Sequence, residues 1–321
     1  MNENLSILAI IIGVAHSGIR LATPYLYAAI GETFAQRSGV LNLGVEGIML
    51  MGAYSGFYVA FQTGNLVLGL LTAAAVGAVM GLVMAFISVT LNAEQGISGI
   101  GLFLFGLGAS SLLFKVTLGT VEGVNGFPEL QLCLASVGLN SDFCLDQIPI
   151  FGDIFLNHNI LVYGAFALVP IAWWVLNKTT WGLSIRAVGQ NPQAADSLGI
   201  SVARVRYITV TLGGLLAGIA GASLSISLLN IFQEGMTNGL GFIAVALVYF
   251  GSWTPVGVLA GALLFSLVNA LQLWGQVLGL PIPSDVAVML PYLLTIFALA
   301  VPFRRALQPK ALTKPFERGE N

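Results

Sequence analysis

Charge is scarce in this chain. Lys and Arg number 12 and Asp and Glu 14 among 321 residues, 8% in all, while 57% of the residues are apolar. A soluble domain carries about 25% charged residues. The deficit excludes a water-facing surface over most of the molecule and leaves lipid as its solvent. The apolar runs are long and continuous rather than alternating, which argues against a β-barrel. Histidine and cysteine are scarcer still, two of each. His16 and His158 are far apart in sequence and form no His-Glu-x-x-His zinc motif. No Lys follows a Gly anywhere, so the phosphate loop G-x-x-x-x-G-K-[ST] is absent and the chain does not bind ATP by that device. A G-x-S-x-G nucleophile elbow is missing as well. Asp142, Asp146, Asp153, Asp196 and Asp285 fall in loops or at the ends of apolar stretches, against a paired-aspartate protease. Nucleic acid is not an expected partner.

What is present is hydrocarbon length. Nine apolar stretches run roughly over 5–31, 41–62, 66–91, 97–118, 158–176, 207–232, 238–252, 256–276 and 286–303. Several reach the ~20 residues that a helix needs to cross a bilayer. The expected fold is all-α, a polytopic transmembrane helix bundle of about nine spans. The N-terminus lacks a basic leader and is read as part of the first span. Basic residues set the orientation. Lys178, Arg186, Arg204 and Arg206 mark 177–206 as cytoplasmic, as Arg304, Arg305, Lys310, Lys314 and Arg318 mark the tail 304–321. The loop 119–157 has five acids and no Lys or Arg, and lies outside. One transmembrane domain, 1–303, N-out and C-in, satisfies these constraints. A ten-span rival splits the first stretch at Ser17 to Pro24.

Cys133 and Cys144 share the outer loop, where an oxidising compartment permits a disulfide; two free thiols are the alternative. Glycine is abundant, and Gly52/Gly56, Gly77/Gly81, Gly214/Gly218 and Gly257/Gly261 form G-x-x-x-G pairs that let helix backbones approach. The cytoplasmic loop holds a compact helix signal: Asn191 as N-cap, Pro192 at the first helical position, Gly199 past the end, and Ser201 capping the next helix. Ala194, Ala195 and Leu198 make a small apolar strip on it. A docking face for a cytoplasmic partner and a helix lying on lipid head groups both fit that pattern. Polar groups inside the spans are few, and Arg20, Asn42, Glu46, Asn230, Glu234 and Asn269 are the candidates to line a translocation path. Each has a structural alternative: Glu46 bonding nearby backbone or Arg37, Arg20 sitting at a break near Pro24, Asn42 orienting a turn, and Asn230 and Glu234 forming solvated span-end polarity.

Three segments carry a family resemblance. "GETFAQRSGVLNLGVEGIMLMGA" (31–53), "RAVGQNPQAADSLGIS" (186–201) and "GLGFIAVALVYFGSWTPVGVLAGALLF" (239–265) together resemble permease subunits of ABC importers. The class is the one that groups branched-chain amino acid, ribose-type sugar and nucleoside permeases. The form "SGVLNLGVEG" is most similar to the nucleoside and simple-sugar branch; Gln typically replaces this Glu in the amino acid branch. The resemblance implies that 186–201 is the coupling helix seated in a groove of the ATP-binding subunit, with Arg186, Ala187, Gly189, Asn191, Pro192, Ala194, Ala195 and Gly199 as contacts. It implies a chain without its own ATPase site, ATP and Mg being bound by the partner ATP-binding subunit. It also implies a second permease subunit, identical or a paralogue, an extracytoplasmic substrate-binding protein, and a multi-pass location in the bacterial cytoplasmic (inner) membrane. The readings from another class are a secondary transporter or channel for a small polar solute, and a membrane-embedded enzyme.

Overall fold

The computed structural model describes residues 7–129, 151–278 and 308–317, with Met289 and Leu293. Eleven α-helices are present among the described residues: α1 (Ile7–Arg37), α2 (Val45–Thr63), α3 (Leu66–Ala85), α4 (Gln95–Thr117), α5 (Phe151–Phe155), α6 (Ile160–Lys178), α7 (Thr180–Gln190), α8 (Pro192–Ser197), α9 (Val202–Ser223), α10 (Leu240–Phe250) and α11 (Pro255–Val277). One π-helical turn extends α3 over Phe86–Thr90 and another extends α9 over Leu224–Leu228. The described residues hold two isolated β-bridges and no strand.

Six of these helices are long and apolar enough to cross a membrane: α1, α3, α4, α6, α9 and α11. Two of the nine expected stretches differ for physical reasons. The second becomes α2, whose 19 residues carry Glu46 and Gln62 and which is buried on every face through its first three turns. The seventh becomes α10, whose 11 residues rise only about 16 Å, half of a ~30 Å hydrocarbon core. The ninth falls largely outside the described residues. α1 runs unbroken through Ser17 and Pro24, so the split that the ten-span alternative requires is absent. Cys133 and Cys144 lie outside the described residues.

The helix ends are set by the residues the sequence offers. Asn65, Asn159, Thr179, Ser201 and Thr254 each accept backbone N–H bonds at the start of a helix. Packing then centres on α9. Its span is 72% buried, against 28–33% for the other five, and α1, α2 and α3 surround it. Glycine makes this possible. A Cβ on Gly52 of α2 would stand 2.5 Å from the Gly218 carbonyl oxygen, and one on Gly81 of α3 would stand 2.9 Å from the Gly214 Cα. The G-x-x-x-G pairs of α3 and α9 therefore face each other, backbone to backbone.

The two histidines, distant in sequence, meet where α5 docks on α1. Their rings stack with centroids 4.4 Å apart, and His16 Nδ1 and His158 Nε2 reach the carbonyl oxygens of Asp153 and Ile154. Burial, reinforced by the nearby charges of His16 and Arg20, pushes His158 down to about 4 despite its bond to Ile154, which keeps it neutral. Among the described residues no cluster of three metal-binding side chains exists, here or elsewhere.

Candidate functional site

Between α9 and α10 the chain leaves helical structure while still inside the bundle. The segment Leu229–Gly239 starts beside the far end of α4. There Val124 N–H donates to the Asn230 carbonyl at 2.9 Å, and Lys115, in the last turn of α4, pairs with Glu234 at 3.4 Å. It ends at the N-terminus of α10, whose Phe242 packs edge-on against Phe103, two turns inside α4. The backbone thus descends into the bundle without helical hydrogen bonds. Lipid forbids this; only protein or a water-filled cavity allows it. Asn230, Asn238, Gly235 and Gly239 all take positive φ here, a conformation open to Gly and tolerated by Asn.

Glu46 anchors the descent. Its Oε1 accepts from Thr237 Oγ1 at 2.6 Å and from Gly239 N–H at 2.8 Å, and its Oε2 accepts from Gly241 N–H at 2.6 Å. The carboxylate is 3% exposed and sits on the positive end of α10. Its partners are almost two hundred residues away; neither Arg37 nor local backbone supplies them. Gly241 can present its N–H because a Cβ would meet the Glu46 backbone at 2.6 Å.

Glu32 braces the same region from α1. Its Oε1 accepts from Gln36 at 3.1 Å and from Asn42 N–H at 3.0 Å, and Gln36 in turn accepts the Trp253 indole N–H at 2.8 Å. Asn42 is buried and accepts from Gly44 N–H, so it shapes the turn between α1 and α2. Neither Glu32 nor Thr237 stands out in the sequence. Glu32 fell just past the expected end of the first stretch, and a threonine in a loop gives no signal of its own.

The remaining path candidates separate. Asn230 and Glu234 lie on the descending segment, where Gln233, Glu234 and Asn238 are exposed. Arg20 is half-buried on α1 near the stacked histidines, without a break in its helix. Asn269 is half-buried on α11. Neither joins the segment that Glu46 holds.

At the opposite end of the bundle sit α7 and α8. Asn191 caps α8 through Oδ1, accepting from Ala194 N–H at 3.0 Å, with Pro192 at the first position, Gly199 at φ +85°, and Ser201 capping α9. The local geometry is the one the residues predict. Its facing is not: Ala194 and Leu198 point outward, whereas Ala195 is 2% exposed and packs into the core. Arg186 and Ala187 are half-buried on α7, and Gly189 lies against the Arg37 carbonyl. The apolar strip expected on one face of α8 is therefore divided, with Ala195 packed into the bundle and Ala194 and Leu198 exposed.

A family model described as the branched-chain amino acid transport system / permease component matches residues 14–299, from within α1 to beyond the end of α11. The chain belongs to this permease family. Among similar proteins, the permease is 36% identical to the guanosine ABC transporter permease protein NupQ of Bacillus subtilis over 93% of this chain and 94% of the relative. It is 36% identical to the nucleoside ABC transporter permease protein NupC of Lactococcus lactis over 90% and 92%. It is 41% identical to the putative glucose ABC transporter permease protein TsgC13 of Haloferax volcanii over 85% and 80%. No solved structure matches the permease.

Proposed function

We propose that this permease is a membrane-spanning subunit of an ATP-driven ABC importer that carries nucleosides into the cytoplasm. The observation that carries the substrate class is end-to-end similarity, over at least nine-tenths of each chain, to relatives named for guanosine and for nucleosides. The Glu-containing turn "SGVLNLGVEG" supports the same branch. Glucose is the second reading, favoured by the relative at 41% identity. The chain sits N-out and C-in in the cytoplasmic (inner) membrane, pairs with a second permease subunit, and receives substrate from an extracytoplasmic binding protein. A separate ATP-binding subunit holds ATP and Mg2+ and grips α8 through Ala194, Leu198 and the neighbouring polar residues.

In this reading the segment Leu229–Gly239 lines the path. Its exposed amides and carboxylate face water rather than lipid, and Glu46 fixes them to the rigid part of the bundle. Two cavity states differ by a few kcal/mol, and ATP, binding protein and substrate each bias the balance.

The test is uptake into proteoliposomes that contain the full complex, with radiolabelled guanosine and glucose offered separately. ATP-dependent guanosine uptake, unaffected by excess glucose, is the expected result. Uptake of glucose alone replaces the substrate, and guanosine uptake without ATP-binding subunit or ATP overturns the importer.

A further inference from the structure

The charges of residues 304–321 suggest no more than a basic tail, yet Gln308–Glu317 is laced into the end of the bundle that holds α8. Ala311 N–H donates to the Gly189 carbonyl at 2.9 Å, and Thr313 N–H donates to the Gly39 carbonyl at 3.2 Å. Pro309 and Ala311 are buried, and Leu312 and Phe316 pack against the core. Asn92, in the turn before α4, donates to Glu317 at 3.0 Å. Arg206 completes the lacing from α9. It is 1% exposed, and it donates to the carbonyls of Ser38 at 3.3 Å and Lys314 at 3.1 Å. A buried guanidinium is costly, and this one bonds the backbone of two loops through Nε and Nη1, while its buried Nη2 has no hydrogen-bond partner. Its place is to hold them together.

The outer face of this segment is different. An open cleft of about 330 Å³ separates it from α8, walled by Gln190, Asn191, Gln193, Lys310, Lys314 and Glu317. Asn92 already engages Glu317, whereas neither lysine has an ion-pair partner among the described residues. With two lysines against the single carboxylate of Glu317, the walls of the cleft carry a net positive charge. Beside it, Leu198 is 82% exposed at the end of α8.

We infer that Gln308–Glu317 is a strap that forms one docking surface with α8, and that the ATP-binding subunit places an acidic side chain between Lys310 and Lys314. The inference rests on the importer reading and adds a second contact beside the helix. Its recognition is electrostatic, so it weakens with salt.

The experiment is co-purification of the ATP-binding subunit with the full permease at low and high salt, with permease level in the membrane as control. Lys310→Glu/Lys314→Glu is expected to keep the level and lower recovery of the partner about tenfold, with Lys310→Arg/Lys314→Arg retaining it. Both pairs are exposed, so neither challenges folding. Recovery unchanged by the charge reversal, while Ala194→Arg abolishes it, overturns the strap and leaves the importer standing. Recovery unchanged in both variants removes the docking role of α8 and the inference with it.

Discussion

Glu46 and Glu32 are both buried carboxylates, but they use their oxygens differently. Glu46 uses both oxygens on three donors, so an amide in its place turns an N–H toward a N–H. Glu46→Gln is expected to destabilise the permease by about 2–3 kcal/mol, and to loosen Leu229–Gly239 with it. Thermal unfolding in detergent and protease sensitivity of that segment measure the two effects. Glu32 uses one oxygen, Oε1, on Gln36 and Asn42, and its other oxygen has no hydrogen-bond partner. Glu32→Gln keeps the acceptor and should leave the melting temperature within a degree or two, while Glu32→Ala strips both donors and costs about 1–3 kcal/mol. An equal loss in Glu32→Gln and Glu32→Ala would show that the charge itself matters.

The helices rank by how closely they touch. Gly52 and Gly218 are in backbone contact, whereas a Cβ at Gly101 on α4 meets nothing within 4 Å. Gly52→Ala should cost about 1–3 kcal/mol or more by overpacking, visible as lower membrane yield and lower melting temperature. Gly101→Ala should be neutral or raise stability by up to about 1 kcal/mol, because alanine favours the helix. This seam was half legible. The spacing of Gly77/Gly81 and Gly214/Gly218 marked close packing, but spacing cannot say which helix faces which. The same holds for α8: Asn191, Pro192, Gly199 and Ser201 announce its start and stop, because caps are local chemistry. That Ala195 turns inward and Ala194 outward depends on what α9 and the core present. The residues of α10 read as a span because an apolar run carries no mark of the depth at which it begins. Only the long-range bonds from Glu46 place its start inside the bundle, and Arg206 likewise reads as one more loop charge until its partners are seen.

For the whole molecule, the two ends have opposite chemistry, and their sidedness can be read directly. Asn125 and Gln193 are exposed at opposite ends of the bundle. In a background with Cys133 and Cys144 replaced, Asn125→Cys should react with an impermeant maleimide in spheroplasts. Gln193→Cys should react only after the membrane is opened. Labelling of position 193 in sealed spheroplasts would reverse the orientation and place α8 out of reach of any ATP-binding subunit.

The contact of Gly52 and Gly81 with α9 has a mechanical meaning. Where backbone lies on backbone there are no side chains to change rotamer, so α2, α3 and α9 have no soft layer along which to shear. They should travel through a transport cycle as a rigid body. Spin labels at the exposed positions Val79 and Ile208, on α3 and α9, should therefore keep one distance with and without ATP. The stroke then belongs to parts outside the seam. Labels on α10 and α11, referred to α9, are where pulsed dipolar spectroscopy should find two distances exchanging. A shift between positions 79 and 208 of the size of a helical turn would mean that the seam itself is the moving joint.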